Sequence, residues 1–236
     1  MDMENRSADS LRPVSIQTEF TATKGGSVLI TCGNTKVLCT ALLEKGTMPF
    51  LEGTGKGWLT AEYAMLPSST GARKKRDGIK KDGRSTEIQR LIGRCLRQAL
   101  DMSKLGENVI YIDCDVLQAD GGTRTASITG GYVALATGIN KWLREGLISE
   151  SPLVHQVAAV SVGIVNEQPV LDLCYAQDSH AQVDMNIVMN ENGDFIEIQG
   201  NGEGRAFTPD ELAQLLALGR KGITELMSVQ QRSIQE

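Results

Sequence analysis

Apolar and polar positions alternate near the start of the chain. Val14, Ile16, Thr18 and Phe20 are separated by polar partners, the period of two expected of a half-buried strand. Two further apolar runs, at 27–32 and 36–44, flank Gly33-Asn34-Thr35 and read as strands joined by a short turn. A run at 57–66 has strand character as well. The segment from Pro67 to Gly83 carries neither period; it is polar and glycine-bearing, a long loop of the kind that often serves function. From Ser85 the period changes to 3.6. Ile88, Leu91, Ile92, Cys95, Leu96, Ala99 and Leu100 fall on one helix face, with Ser85 or Thr86 as the cap and Glu87 in the first turn. That reading places Arg84 at the mouth of the helix rather than inside it.

Residues 108–118 read as a buried strand, and 122–146 have helical length. Gly130, Gly131 and Gly138 weaken that helix in isolation but allow close approach to a sheet. A second strand-rich stretch covers 154–165, 169–175, 183–189 and 195–200. Thr208-Pro209-Asp210-Glu211 then signals a helix start, with an N-cap, a proline in the first helical position and a capping-box glutamate. Its buried face is Leu212, Leu215, Leu216, Gly219, Ile223, Leu226 and Met227. Strands followed by helices, twice over, predict an α+β fold of two related halves, 1–150 and 151–236. No residue-level repeat marks the duplication.

The 236 residues suit one domain or two intimately packed halves, and 41% hydrophobic with 22% charged residues exclude a disordered chain. No run approaches a membrane span, and the first thirteen residues are polar and acidic, so a soluble cytoplasmic protein without membrane contact is expected. Five cysteines without a Cys-x-x-Cys pair, all in apolar segments, read as reduced core thiols. Two histidines exclude a multi-histidine metal site. The net charge of −5 hides an asymmetry. Arg73, Lys74, Lys75, Arg76, Lys80, Lys81 and Arg84 stand against only Asp77 and Asp82, a local +5 on a remainder of −10. Such a patch steers a polyanion to one place, although a charge run is also simply a solvated loop.

Two constellations carry candidate chemistry. In Asp120-Gly121-Gly122-Thr123-Arg124-Thr125-Ala126-Ser127, two glycines let the backbone approach a ligand closely, and a following helix offers unpaired N–H groups to an anion. Thr123, Thr125 and Ser127 add hydroxyl donors and Arg124 a forked cation suited to phosphate. The lysine and spacing of a nucleotide-hydrolysing phosphate loop are absent. A plain glycine turn with a threonine cap remains open at this point. In the second, Asp178 lies in a connection between strands and Asp184 opens the next strand, so a tight connection would bring the carboxylates together. Such a pair suits Mg²⁺, or one aspartate acting as a general acid, while turns also attract aspartate for backbone bonding alone. His180, next to Asp178, has no nucleophile motif beside it.

An ordered series of motifs spans nearly the whole chain: LRPV at 11–14, GSVLITCGNTKVLCTA at 26–41, GKGWLTAEYAMLP at 55–67, EIQRLIGRCLR at 87–97, IDCDVLQADGGTRTASITG at 112–130, AAVSVGIV at 158–165 and VDMNIVM at 183–189. In these the chain resembles the bacterial RNase PH family, phosphate-dependent 3′ exoribonucleases that trim tRNA precursors. The resemblance implies that Arg84, Gly122, Thr123 and Arg124 bind phosphate, and that Asp178 and Asp184 serve catalysis and hold a divalent metal, Mg²⁺. It implies that Arg73, Lys74, Lys75 and Arg76, in the basic loop running to Lys81, contact tRNA. It also implies a ring-forming fold assembled as a homohexamer, a trimer of dimers. Two departures stand out: Ser68 where the family typically has arginine, and Glu4-Asn5-Arg6 where Asp-Gly-Arg is common. The rival readings are a catalytically silent RNA-binding ring subunit and a hydrolytic, metal-dependent nuclease.

Overall fold

Gly33, with φ of +56°, closes the tight turn between β2 (Gly26–Cys32) and β3 (Thr35–Lys45), and these strands pair antiparallel along their length. The structure, a computed structural model, describes residues 6–76 and 82–235. Together with β1 (Val14–Thr18), β4 (Trp58–Met65) and β5 (Asn108–Gln118) the hairpin builds a five-stranded sheet ordered β1-β2-β3-β5-β4. Only β4 and β5 run parallel, and α1 (Gly83–Arg97) supplies the crossover that parallel strands require. Alternation puts Val28, Ile30, Val37, Cys39, Ala41, Ile110, Ile112 and Cys114 into one core.

The helix α2 (Thr123–Arg144) covers that face, and its glycines explain how. A Cβ on Gly130 would stand 2.7 Å from the Ile30 side chain, so the helix lies closer to the sheet than any larger residue permits. On its other side α2 meets β6 (Val157–Val165), where Thr129 Oγ1 accepts from Ala159 N at 3.0 Å. With β7 (Gln168–Leu171), β8 (Val183–Asn190) and β9 (Phe195–Gly202), β6 forms an antiparallel sheet ordered β7-β6-β8-β9. Val157 and Ala159 face α2, while Ala158, Val160, Val162 and Ile164 join the core under α4 (Pro209–Gln235). The layers thus run sheet, helix, sheet, helix. Thr208 and Glu211 cap α4 reciprocally, at 3.2 and 2.7 Å.

Several boundaries differ from the sequence reading. The start of α1 is capped by Asp82, whose carboxylate accepts from Ser85 N at 2.5 Å, so Arg84 stands inside the first turn instead of ahead of it. Ser85 is no cap because its side chain is fully buried. Ala99 and Leu100 lie past the helix end yet stay buried. The strand read at 169–175 stops at Leu171: Asp172 takes φ of +56°, and the chain turns into a single helical turn, α3 (Tyr175–Asp178). Phe20 falls outside β1 and is exposed. All five thiols are free, but Cys174 is only partly buried, unlike the other four. Lys80, Lys81, Glu4 and Asn5 lie outside the described residues. No helix among the described residues is long and apolar enough to cross a membrane.

The two halves are joined by a buried ion pair. Arg12, 2% exposed, grips Asp172 through Nε at 3.0 Å and Nη2 at 2.6 Å. Truncating one partner of such a pair strands a buried charge and typically costs about 3–5 kcal/mol.

Candidate active site

The strand β5 ends beside β3, and there the chain must reverse into α2. Gly121 and Gly122 make the reversal with φ of +75° and +64°, a left-handed region that glycine enters without steric cost. Gly121 also touches the other half of the molecule: a Cβ there would lie 2.5 Å from Leu173 O and 2.8 Å from Tyr175 N. Gly122 is the N-cap of α2 and brings no side-chain cap, which leaves the first N–H donors of a 22-residue helix open to an anion.

Hydrogen bonds from distant segments fix this turn. Thr35 Oγ1 donates to Gly121 O at 2.7 Å and accepts from Asp120 N at 2.9 Å. Thr123 Oγ1 lies 2.9 Å from the hydroxyl of Tyr63, a buried side chain on β4. Thr125 and Ser127 differ from the sequence reading. Their hydroxyls donate to Gly122 O and Thr123 O at 2.9 and 2.8 Å, so they bind the helix itself and are not aimed at a ligand.

Arg124 reaches across to the second sheet. Its Nη1 donates to Gln199 Oε1 at 2.8 Å and lies 3.6 Å from Glu87 Oε1, while Gln199 Nε2 donates to the same Glu87 oxygen at 3.1 Å. Arg84 projects from the first turn of α1 as an exposed residue. Both arginine charges act on the buried Tyr63 hydroxyl, which bonds Thr123, and on the Asp178 carboxyl.

The carboxylates come from the second half. Asp178 ends α3, and Asp184 is the second residue of β8, paired in register with Gly163 and Asn201. Both carboxyls are pushed above their ordinary range, chiefly by burial. For Asp178 the charges of Arg84 and Arg124 oppose the rise; for Asp184 repulsion from Asp178 and Glu203 adds to it. Asp178 is exposed as a residue and Asp184 half-buried. Asp184 Oδ1 is buried with no hydrogen-bond partner. A buried carboxylate oxygen left in that state calls for a cation or a proton. Among the described residues no cluster of three His, Cys, Asp or Glu side chains forms a closed metal cage. Two hard carboxylates with one open oxygen still fit Mg²⁺, which is usually held by one or two carboxylates, its other ligands being water and substrate phosphate.

Of the basic segment, Arg73, Lys75 and Arg76 are exposed, as the sequence suggested. Lys74 is not a free cation: its Nζ lies 2.7 Å from Asp82 Oδ2, and its backbone N–H donates to Pro67 O at 2.8 Å. Lys74 first, then the Ser85 N–H, holds the Asp82 carboxyl down at about 2. The segment therefore leans on the cap of the helix that carries Arg84. Nearer its start, Ser69 O accepts from Ala119 N at 2.7 Å, which seats the loop beside the glycine turn. Among the described residues the His180 ring bonds locally, to Ser179 Oγ and Ala176 O, and the residue is exposed.

Tyr63, Gln199, Glu203, Asp120, Arg12 and Asp172 all bear on the cleft, and sequence reasoning gave none of them a role. Tyr63 and Asp172 sit in strand-like apolar runs, but nothing in their spacing pointed at the turn. Glu203 follows β9 in Gly202-Glu203-Gly204, a context that reads as an ordinary turn.

Comparison with known proteins bears directly on this geometry. Residues 10–138 match the 3′ exoribonuclease family, domain 1, and residues 155–222 match domain 2 of that family. Ribonuclease PH of Neisseria gonorrhoeae is 54% identical over 232 residues, covering 98% of this chain and 96% of that protein. Ribonuclease PH of Neisseria meningitidis shows the same identity and coverage. Among solved structures, the Archaeoglobus fulgidus exosome with RNA bound to the active site shares the fold at a TM-score of 0.81 and 20% identity, covering 96% of this chain and 91% of that chain. An archaeal exosome core does so at 0.76 and 20%, covering 97% and 90%.

Proposed function

The chain belongs to the 3′ exoribonuclease family as a phosphorolytic 3′ exoribonuclease, and from that premise we propose how its cleft divides the work. Inorganic phosphate binds at the start of α2, between Arg84 and Arg124, with Thr123 and the Gly122 backbone completing its shell. The last phosphodiester of an RNA lies against it. An oxygen of the inorganic phosphate attacks the terminal phosphorus, the bond to the preceding 3′-oxygen breaks, and a nucleoside 5′-diphosphate leaves. The nucleophile is already an anion at neutral pH. The protein therefore needs no base to activate it, and must instead bring two repelling anions into line and stabilise the charge that develops.

Asp178 and Asp184 are the catalytic carboxylates and would hold Mg²⁺. When bound, the ion supplies positive charge beside the scissile phosphate. Arg73, Lys74, Lys75 and Arg76 contact the RNA body, with Lys74 exchanging Asp82 for phosphate. The substrates are the 3′ ends of tRNA precursors and other structured RNA, the reverse nucleotidyl transfer runs on the same groups, and the working form is a homohexameric ring, a trimer of dimers. Free thiols agree with a reducing, cytoplasmic setting.

The observation that carries the reading is the glycine turn itself, an uncapped helix start bearing Arg124 and packed against the segment that leads into Asp178. Incubating RNA with Mg²⁺, with and without inorganic phosphate, tests it. Nucleoside diphosphates only in the presence of phosphate support it. Monophosphates would point to hydrolysis, and intact RNA to a catalytically silent ring subunit. Native mass measurement reads the ring.

A further inference from the structure

Arg12 hydrogen-bonds to none of the residues assigned above, yet its bonds end on the segments that flank them. Its guanidinium grips Asp172 twice, its backbone N–H adds a third bond to Asp172 Oδ2 at 2.9 Å, and Nη1 donates to Asp120 O at 2.6 Å. Asp120 immediately precedes the glycine turn. Its own carboxylate accepts from Tyr175 N at 3.1 Å, at the start of α3, whose last residue is Asp178. On the other side, Asp172 begins the segment that leads into α3. A Cβ on Gly122 would meet Arg12 Nη2 at 3.0 Å, so the guanidinium lies directly beneath the turn. Arg6 extends the same link outward, donating to Leu171 O at 2.8 Å, Asp172 O at 3.1 Å and Gln177 Oε1 at 3.2 Å.

We propose that Arg12 is a positioning residue for phosphorolysis: its guanidinium, clamped by Asp172 and the Asp120 carbonyl, sets the spacing between the phosphate-binding turn and the turn that carries Asp178. The inference rests on the roles assigned to those two turns. Three observations support a spacing role over plain adhesion. Asp172 takes φ of +56°, so the chain leaves β7 there in a fixed direction toward α3, at the residue the guanidinium grips. Arginine's planar fork fixes direction as well as distance, which a lysine in its place does not. The contacts end on the residues flanking both functional turns rather than spreading over the interface.

In-line attack is sensitive to such spacing, because a misplacement of about 1 Å costs on the order of 10²-fold in rate. The test is Arg12→Lys in the full chain, with steady-state phosphorolysis of a single-stranded RNA at varied phosphate. The expected result is a kcat lower by on the order of 10²-fold, with a phosphate KM within about threefold of the parent, the same native mass and a folded thermal transition. A kcat within about twofold of the parent overturns the proposal. So does a loss in which kcat, phosphate KM and native mass all fail together, since that marks a structural role alone.

Should Arg12→Lys not fold, Asp172→Asn keeps the side chain's shape but removes one of the guanidinium's two carboxylate acceptors, loosening the clamp while Asp120 O still holds Nη1. A kcat loss of about tenfold at unchanged phosphate KM supports the proposal, and an unchanged kcat overturns it. Arg124→Ala, assayed in parallel, separates the two levels. If that variant leaves the phosphate dependence intact, the phosphate-site reading fails. If it raises the phosphate KM while Arg12→Lys leaves kcat alone, only the positioning role fails.

Discussion

The turn at Gly121–Arg124 and the basic segment Arg73–Arg76 both offer donors to phosphate, and they are built in opposite ways. The turn is pinned by Thr35, Tyr63 and Gln199, side chains from three separate strands, and by the carbonyl contact of Arg12. Arg73, Lys75 and Arg76 are exposed, and Lys74 is held by one ion pair at the edge of a helix. A reacting phosphate needs its donors in place before it arrives, which a buried scaffold secures. An RNA body needs only charge within reach, and screened surface cations supply that without fixed geometry.

The largest test of this contrast is Gly121→Ala. It forces a Cβ to within 2.5 Å of Leu173 O at a left-handed φ, which itself costs roughly 1–2 kcal/mol. Initial rates at saturating phosphate should fall on the order of 10²-fold; a rate near that of the parent would show that the turn tolerates being moved. Next come Arg124→Ala and Arg84→Ala. Each removes a charge-assisted hydrogen bond of roughly 1.5–3 kcal/mol, about 10- to 100-fold in rate at limiting phosphate. Arg124→Ala should be the more damaging, because it also leaves Gln199 and Glu87 without their cation.

Neutralising Lys75, Arg73 or Arg76 singly should act differently. RNA affinity weakens, and the slope of log K against log salt shrinks by about 0.7 for each RNA phosphate that the protein no longer neutralises. The phosphate KM stays put. A change in phosphate KM from any of these three would erase the distinction between the two regions.

The smallest effect is expected at Asp82. Its carboxyl is held at about 2 in the folded chain, below its ordinary 3.8. A depressed folded value means its contribution is present above the ordinary range and is lost as pH falls through about 2. Asp82→Asn keeps a cap acceptor but loses the pair with Lys74, worth at most about 1 kcal/mol for an exposed pair. Urea midpoints of parent and variant should differ slightly at pH 7 and converge as the pH is lowered toward 2. A gap that widens in acid would reverse the assignment.

Much of the architecture could be read from the chain. The period of two marked β1, apolar runs between turn signals marked β2 to β5, and the period of 3.6 marked the apolar faces of α1 and α4, because burial on one side of an element writes its own repeat. The reading failed where a side chain chose between local and distant partners. Asp82 outcompeted Ser85 as the cap of α1 because Ser85 is drawn into the core. Thr125 and Ser127 turned back onto their own helix. Asp172 ended β7 early because it turns the chain at a left-handed φ and pairs with the buried Arg12, a partner 160 residues away.

By itself the sequence determined the elements, the glycine reversal ahead of a long helix, and the supply of cations and carboxylates. Those properties live within a few residues of one another. Tertiary structure decided which of them share a cleft. Tyr63 meets Thr123 across 60 residues, Gln199 meets Arg124 across 75, and Arg12 meets Asp120 across 108. Such meetings depend on strand register, and a slip of one residue would turn Asp184 and Gln199 to the opposite face of their sheet. No local spacing encodes that choice; only the packing of two sheets around α2 makes it.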